Sequence, residues 1–146
     1  MIGIVVTGHG HFATGLSSSV ELIGGKPEHY EAVDFVQEDS TEDLEKHLTE
    51  AFAKLKDCED GILVFSDLVG GSPFKVSVEL SMKLKDQYKI VVLSGTNLGM
   101  LVEANLTRGF ASDIDSLANA TVETGKSQVM RYEFVQHEEV SSDEGI

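Results

Sequence analysis

A histidine and an aspartate that follow apolar runs are the residues best suited to chemistry in this 146-residue sequence. His9 lies between two glycines just after the run at residues 2–7, and Asp67 follows the run at residues 62–65. Both runs are typical of strands that are buried on both faces. If the strands are neighbours, the Asp67 carboxylate can accept an N–H from the His9 ring. That bond fixes the imidazole tautomer and leaves the other ring nitrogen free to attack an electrophile.

Glycine-rich loops follow three of the predicted strands, at residues 7–11, 67–72 and 94–97. Glycine turns that lead into helices leave backbone N–H groups free to meet an anion. We therefore expect Gly10 and Gly71, in the first two loops, to bind phosphate. None of the three loops contains Lys or Arg.

Ser72 and Pro73 follow the second glycine loop and predict a helix N-cap and its first helical position. The Ser72 hydroxyl can then contact the same small anion as the loop. A phosphoryl group in transit requires in-line positioning and several distributed donors. The absence of a cation clamp favours a relay of phosphoryl groups over a site that retains them.

The elements that must position these residues alternate along the chain. Strands are predicted at residues 2–7, 30–36, 62–65 and 90–93, and helices at residues 12–23, 40–55, 72–85, 98–106 and 114–124. The alternation predicts an α/β fold with an open, doubly wound, mostly parallel four-stranded sheet and helices on both faces. In such sheets ligands bind outside the carboxyl ends of the strands, where His9 and Asp67 are expected.

The C-terminal part predicts one further strand. Residues 130–135 alternate, with Met130, Tyr132 and Phe134 on one face. We expect residues 1–136 to form a single domain and the polar, acidic residues 137–146 to be a disordered tail. Met82 and Met100 stand at helical spacing and are expected in the core.

Composition excludes several classes of function. Eleven Lys and Arg residues against 25 Asp and Glu residues give a net charge of −14, which disfavours binding to nucleic acid or anionic membranes. Cys58 is the single cysteine, so no intrachain disulfide can form, and its acidic neighbours should keep the thiol unreactive. The N-terminus lacks a basic leader region and no apolar run could cross a bilayer. We expect a cytoplasmic protein without direct membrane insertion.

Three motifs connect the chain to a known family. They are I-V-V-T-G-H-G at residues 4–10 with F-A-T-G-L at 12–16, D-L-V-G-G-S-P-F at 67–74, and G-T-N-L-G-M-L at 95–101. Together they resemble the mannose-family IIA component of the bacterial phosphoenolpyruvate:sugar phosphotransferase system, and they cover nearly all of the chain. One residue departs from the pattern, because Gly99 stands where proline is usual.

The resemblance implies a phosphorelay without a cofactor. His9 would accept phosphate from the phosphocarrier HPr and donate it to a IIB domain, which serves the IIC and IID membrane subunits. Asp67 would orient His9, and Ser72 would contact the phosphoryl group. The resemblance also implies a homodimer in which the C-terminal strand is exchanged between subunits. It assigns no role to His11.

Three other functions fit parts of the pattern. His9, His11 and Asp67 have the donor types of a zinc site, although no general base is evident and we expect no metal. A non-catalytic anion-binding module would lack a phosphoryl acceptor such as His9. The phosphotransfer subunit of a dihydroxyacetone kinase is the alternative within the resemblance. A kinase that uses ATP directly is disfavoured, because no glycine-rich loop carries a lysine.

Overall fold

The computed structural model describes residues 1–135 as a sheet of four strands covered by helices. The strands are β1 (Gly3–His9), β2 (Tyr30–Phe35), β3 (Ile62–Ser66) and β4 (Ile90–Leu93). The helices are α1 (Phe12–Gly24), α2 (Thr41–Lys54), α3 (Ser72–Lys83), α4 (Leu98–Thr107) and α5 (Ile114–Gln128), with a 3₁₀ turn at Arg108–Phe110. The strand order is β2-β1-β3-β4 and all pairings are parallel. The predicted α/β fold is confirmed.

The core lies in two layers, one on each face of the sheet. Successive residues of β1 point to opposite faces, so that Ile4 and Val6 pack with α1, α4 and α5, whereas Val5 packs with α2 and α3. β1 and β3 are central strands and are buried on both faces. Full burial of each such aliphatic side chain contributes about 1.5–3 kcal/mol, which makes the two central strands a rigid support for the loops at their ends.

The N-termini of α2 and α3 are set by different residues. Ser40 and Asp43 form the predicted capping box of α2, each side chain accepting the backbone N–H of the other. The prediction for α3 is wrong by one position, because Gly71 is the N-cap and Ser72 the first helical residue. Gly71 is extended, and its carbonyl already accepts the N–H of Lys75 at 2.9 Å.

α5 continues beyond its predicted end at residue 124, through Gly125 to Gln128. A Cβ at Gly125 would lie 2.6 Å from Sδ of Met100, so this glycine lets α4 and α5 approach closely and does not end the helix. Met100 is buried as expected, whereas Met82 is 69% exposed and the expectation for it is wrong. Burial raises the pKa of the Cys58 thiol, in agreement with an unreactive cysteine.

Residues 130–135 do not form the predicted strand in this chain. The side chains of Met130, Tyr132 and Phe134 are between 72% and 80% exposed. The alternating pattern meets the side-chain requirement of a strand, but no strand of residues 1–135 lies alongside to supply backbone partners. The predicted tail at residues 137–146 lies outside the described residues. Within residues 1–135, no helix combines the length and apolarity that crossing a bilayer requires.

Candidate active site

The carboxyl ends of β1 and β3 bring His9 and Asp67 into contact. The two strands are direct neighbours, with Thr7 paired to Ser66. Nδ1 of His9 lies 2.7 Å from Oδ2 of Asp67, and the His9 backbone N–H donates to the same oxygen at 2.8 Å. Because an ionised carboxylate only accepts hydrogen bonds, Nδ1 carries the proton in this arrangement. In the neutral ring, Nε2 is therefore the unprotonated nitrogen.

The Asp67 side chain is nearly buried, whereas the His9 side chain to which it is hydrogen-bonded is accessible to solvent. The Asp67 side chain is 10% exposed and that of His9 is 46% exposed. Burial opposes ionisation of Asp67, but hydrogen bonds from the His9 backbone N–H, the His9 ring and the Leu68 backbone N–H together hold the pKa of the Asp67 carboxyl below its ordinary value. At neutral pH the carboxylate is thus a fixed negative charge behind a solvent-facing imidazole.

The His9 ring is packed between Phe35 and Gly71. Phe35 meets it edge-on, with ring centroids 5.9 Å apart and planes at 65°. On the other side, a Cβ at Gly71 would lie 2.8 Å from Cε1 of His9, so only glycine leaves room for the ring. Sequence analysis did not identify Phe35, because its contact follows from β2 lying beside β1 with Phe35 opposite His9.

Gly10 and Gly71 have their backbone N–H groups engaged within the protein. Gly10 adopts φ +60° and donates to the Phe35 carbonyl at 2.7 Å. Gly71 donates to the Leu68 carbonyl at 3.1 Å, closing a tight turn that places Gly70 at φ +83°. These two glycines shape the loops around His9. The N–H groups of Ser72 and Phe74 and the Ser72 hydroxyl, at the start of α3, can donate to an anion, whereas Pro73 has no N–H.

The third glycine loop, residues 94–97, is hydrogen-bonded to the backbone at Ser66 and Asp67, where β3 ends. The Gly95 N–H donates to the Asp67 carbonyl at 2.7 Å. The buried Thr96 hydroxyl donates to the Ser66 carbonyl at 2.7 Å, and the Thr96 N–H reaches the same oxygen at 3.2 Å. The end of β3 is therefore anchored at successive residues, which fixes the direction in which the Asp67 side chain points.

Asn97 joins this loop to α4 and α5. Its Oδ1 accepts the Met100 N–H at 3.1 Å as the N-cap of α4, and its Nδ2 donates to the Gly125 carbonyl at 3.0 Å. Gly99, which departs from the family pattern, is the second residue of α4. The loop itself ends before this position.

A second histidine–aspartate pair lies at the same edge of the sheet. Nδ1 of His11 is 3.0 Å from Oδ2 of Asp34, and Thr14 donates to Asp34 through its backbone N–H at 3.0 Å and its hydroxyl at 2.7 Å. Burial opposes ionisation of Asp34, but these bonds hold the pKa of its carboxyl below the ordinary value. Asp34 thus caps the start of α1 from the neighbouring strand, a role that the sequence alone did not indicate.

His9 and His11 are consequently held by different carboxylates. Within residues 1–135, no three His, Cys, Asp or Glu side chains are grouped so that they could hold a metal ion. The donor set considered for zinc, which combined His9, His11 and Asp67, is not assembled in this arrangement. The geometry instead presents the accessible His9 ring beside the N-terminus of α3.

Comparison with known proteins identifies a consistent set of relatives. A family model described as PTS system fructose IIA component matches residues 3–122. The mannose-specific EIIAB component of Escherichia coli (strain K12) is 34% identical over 128 residues, which are 88% of this chain but only 38% of that protein. The sorbose-specific EIIA component of Lacticaseibacillus casei is 30% identical over 100 residues, covering 68% of this chain and 69% of that protein. The crystal structure of phosphotransferase system component EIIA from Streptococcus agalactiae has a TM-score of 0.82 and 36% identity, and the match covers 90% of this chain and 97% of that one.

Proposed function

Because the chain belongs to the family of PTS system fructose IIA components, the EIIA-man family, we propose that His9 relays phosphoryl groups from HPr to a IIB domain. The observation that carries the proposal is the 2.7 Å contact between Nδ1 of His9 and Asp67, which leaves Nε2 as the nucleophile. The site supports transfer to and from an imidazole without a cofactor. Family membership favours the sugar system over the phosphotransfer subunit of a dihydroxyacetone kinase.

In the proposed first step the Nε2 lone pair of His9 attacks the phosphorus of phospho-HPr. The bond between phosphorus and HPr breaks, and its electron pair leaves with HPr. The proton on Nδ1 stays hydrogen-bonded to Asp67, whose charge offsets the positive charge that develops on the ring. The Ser72 hydroxyl and the start of α3 offer donors to the phosphoryl oxygens. Transfer to IIB repeats the displacement with His9 as the leaving group, and IIB passes the group to the sugar carried by the membrane subunits.

The first test is incubation with phosphoenolpyruvate, enzyme I and HPr, followed by intact-mass measurement. We expect one acid-labile phosphoryl group on the wild-type chain and none on His9→Ala. His11→Ala is the matched control and should take up the group normally. Full phosphorylation of His9→Ala, or a product that survives acid, would show that the acceptor lies elsewhere.

The second step is tested by adding a IIB domain to the isolated phosphorylated chain. The phosphoryl mass should leave this chain and appear on IIB in equal amount. Loss of the group to water alone, with IIB unmodified, would contradict a relay.

We further propose that the chain forms a homodimer by exchange of residues 130–135. Large apolar side chains are exposed on this segment, at Met130, Tyr132 and Phe134. Exposed apolar clusters of this kind are typical of surfaces that bind another chain. β4 is an edge strand with half-buried residues, so its backbone can accept another strand. Exchange of this segment between two copies would cover its apolar side chains and pair the free edge of β4 at the same time.

Light scattering on the full chain and on a version ending at Gln128 tests the exchange. The shorter version keeps all of α5 and removes the exposed segment. We expect a dimer for the full chain at micromolar concentration and a monomer for the shorter one. A dimer that persists without the segment would refute exchange as its cause.

A further inference from the structure

Two buried polar atoms near the carboxyl ends of β1 and β3 have no hydrogen-bond partner of normal geometry within residues 1–135. They are Oγ1 of Thr7 and Oδ1 of Asp67. Thr7 is 0% exposed, and Oδ1 is the Asp67 oxygen that His9 does not contact. Burying a polar group costs free energy unless the group is hydrogen-bonded, and the cost is larger for an ionised carboxylate. Both atoms therefore need a further partner.

The strand register places these two residues next to each other. Thr7 is paired with Ser66, so that Asp67 is one residue further along than the partner of Thr7. A strand spacing of about 4.8 Å and a rise of about 3.3 Å per residue put the two Cα atoms about 6 Å apart. Thr7 lies two residues before His9, and its side chain is therefore on the same face of β1 as the His9 side chain. The third atom of this kind in residues 1–135, Oδ1 of Asn105, lies in the last turn of α4, away from these strand ends.

The neighbours of Thr7 in the sheet do not supply the missing partner. On one side, the Ser66 hydroxyl donates to the Leu93 carbonyl at 2.6 Å. On the other side, Thr7 is paired with Val33, which belongs to the apolar layer under α2 and α3. A water molecule can donate to a carboxylate and bond to a hydroxyl at the same time, and its two hydrogen bonds span roughly 4.5–5 Å. That span fits two side chains on diagonally adjacent residues of neighbouring strands.

We propose that Thr7 is a positioning residue for Asp67, and that one buried water molecule, held by the Thr7 hydroxyl, donates a hydrogen bond to Oδ1 of Asp67. His9 already donates twice to Oδ2, so both oxygens of the carboxylate are then fixed and its plane cannot turn. The effect on transfer rests on the proposed relay function, because the ring that Asp67 orients is the phosphoryl acceptor. A ring held at a fixed angle keeps Nε2 in line with the phosphorus of the donor.

Three variants separate the hydroxyl from the packing of the side chain. Thr7→Val removes the hydroxyl and preserves the shape of the side chain, whereas Thr7→Ser keeps the hydroxyl. Thr121→Val is the matched control, because Thr121 is also buried but lies in α5, which packs on the opposite face of the sheet.

The first measurements use the unphosphorylated protein. A crystal structure of the wild-type chain at atomic resolution should show one water molecule within hydrogen-bond distance of both Oγ1 of Thr7 and Oδ1 of Asp67. In a pH titration followed by carboxyl-carbon NMR, the pKa of the Asp67 carboxyl should rise in Thr7→Val, because its ionised form loses a donor. The pKa should keep its wild-type value in Thr7→Ser and Thr121→Val. The proposal would be overturned by a structure without that water, or by an Asp67 pKa that Thr7→Val leaves unchanged.

The second measurements are the rates of His9 phosphorylation by phospho-HPr and by phosphoramidate, a small phosphoryl donor. We expect Thr7→Val to be slower roughly tenfold with both donors, and Thr7→Ser and Thr121→Val to stay within about twofold of wild type. A wild-type rate for Thr7→Val, together with a higher thermal midpoint, would show that the hydroxyl is merely unpaired and would overturn its role. An equal fall in Thr7→Val and Thr7→Ser would also overturn it, because it would indicate a packing effect.

The relay function can fail separately from the role of Thr7. If the wild-type chain took no phosphate from phospho-HPr while the water and the Asp67 titration were as expected, the proposed relay would be refuted. The hydrogen-bonded link from Thr7 to Asp67 would still stand, because the crystal structure and the titration do not depend on phosphoryl transfer.

Discussion

Replacing Asp67 with Asn tests how much of the proposed transfer depends on the charge behind His9. The substitution preserves size and leaves an amide oxygen that can take the place of Oδ2 and accept both hydrogen bonds from His9, which measure 2.7 and 2.8 Å. It removes the negative charge that faces the ring when Nε2 bonds to phosphorus. The imidazole then develops positive charge against a neutral amide.

The size of the effect follows from the distance and the exposure. Two unit charges separated by the 2.7 Å of this contact attract by about 1.5 kcal/mol at the dielectric constant of water and about 6 kcal/mol at an effective constant of 20. Asp67 is nearly buried but the His9 ring is half exposed, so the intermediate range applies. A loss of about 3–5 kcal/mol of transition-state stabilisation corresponds to roughly 10²- to 10⁴-fold in rate.

Single-turnover transfer from phospho-HPr, followed by rapid quench, measures this rate directly. Asp34→Asn is the matched control, because it makes the same change in the other histidine–aspartate pair. We expect transfer by Asp34→Asn to remain within a few-fold of wild type. A rate for Asp67→Asn equal to that of wild type, in a protein with an unchanged thermal midpoint, would refute the orienting and electrostatic role of Asp67.

Three further substitutions test the supports of the site. Asp34→Asn should lower the thermal midpoint of unfolding at pH 7. The difference from wild type should shrink as the pH falls below about 4, because a carboxyl whose folded-state pKa is lowered stabilises the fold only while it is ionised. A difference that stays constant across a pH series would contradict this. Gly71→Ala should slow phosphorylation of His9 at least about tenfold, since its Cβ would lie 2.8 Å from the ring, and a wild-type rate with phosphoramidate would rule out that contact. Thr96→Val removes one of two hydrogen bonds to the Ser66 carbonyl and should cost about 0.5–1.5 kcal/mol in urea unfolding, whereas an unchanged midpoint would exclude the bond as a support.

The sequence predicted the features that depend on local pattern and on sheet topology in general. The continuous apolar runs predicted β1 and β3, and the alternation with helices predicted a parallel sheet. Since parallel strands end at the same edge, the meeting of His9 and Asp67 could be anticipated without coordinates. The family inferred from the three motifs is also confirmed.

The contacts that sequence reasoning missed depend on the order of the strands. Phe35 and Asp34 reach the loop around His9 and His11 because β2 lies beside β1 at the edge of the sheet. Neither hydrophobic periodicity nor glycine spacing specifies which strand lies next to β1.

One other error arose from a pattern compatible with more than one structure. Proline is tolerated throughout the first turn of a helix, so Ser72-Pro73 fits a helix that begins after Gly71 as well as one that begins after Ser72. The exchanged strand at residues 130–135 stays a prediction, because its alternating pattern specifies only which side chains share a face. A strand also needs a neighbour, which the described chain does not provide.

The absence of a cation from the three glycine loops has a consequence for the proposed relay. A Lys or Arg beside the phosphoryl group would stabilise phosphorylated His9 itself, and a deeper ground state raises the barrier to the next transfer. Asp67 acts differently, because its charge offsets the positive charge of the ring as the bond forms and keeps the proton on Nδ1, so that the ring leaves as neutral imidazole when the phosphoryl group departs. The same carboxylate therefore assists both arrival and departure of the phosphoryl group. The two hydrogen bonds from His9 to one oxygen keep the ring in place in both directions, and none of the three glycine loops adds a Lys or Arg that would hold the phosphate back.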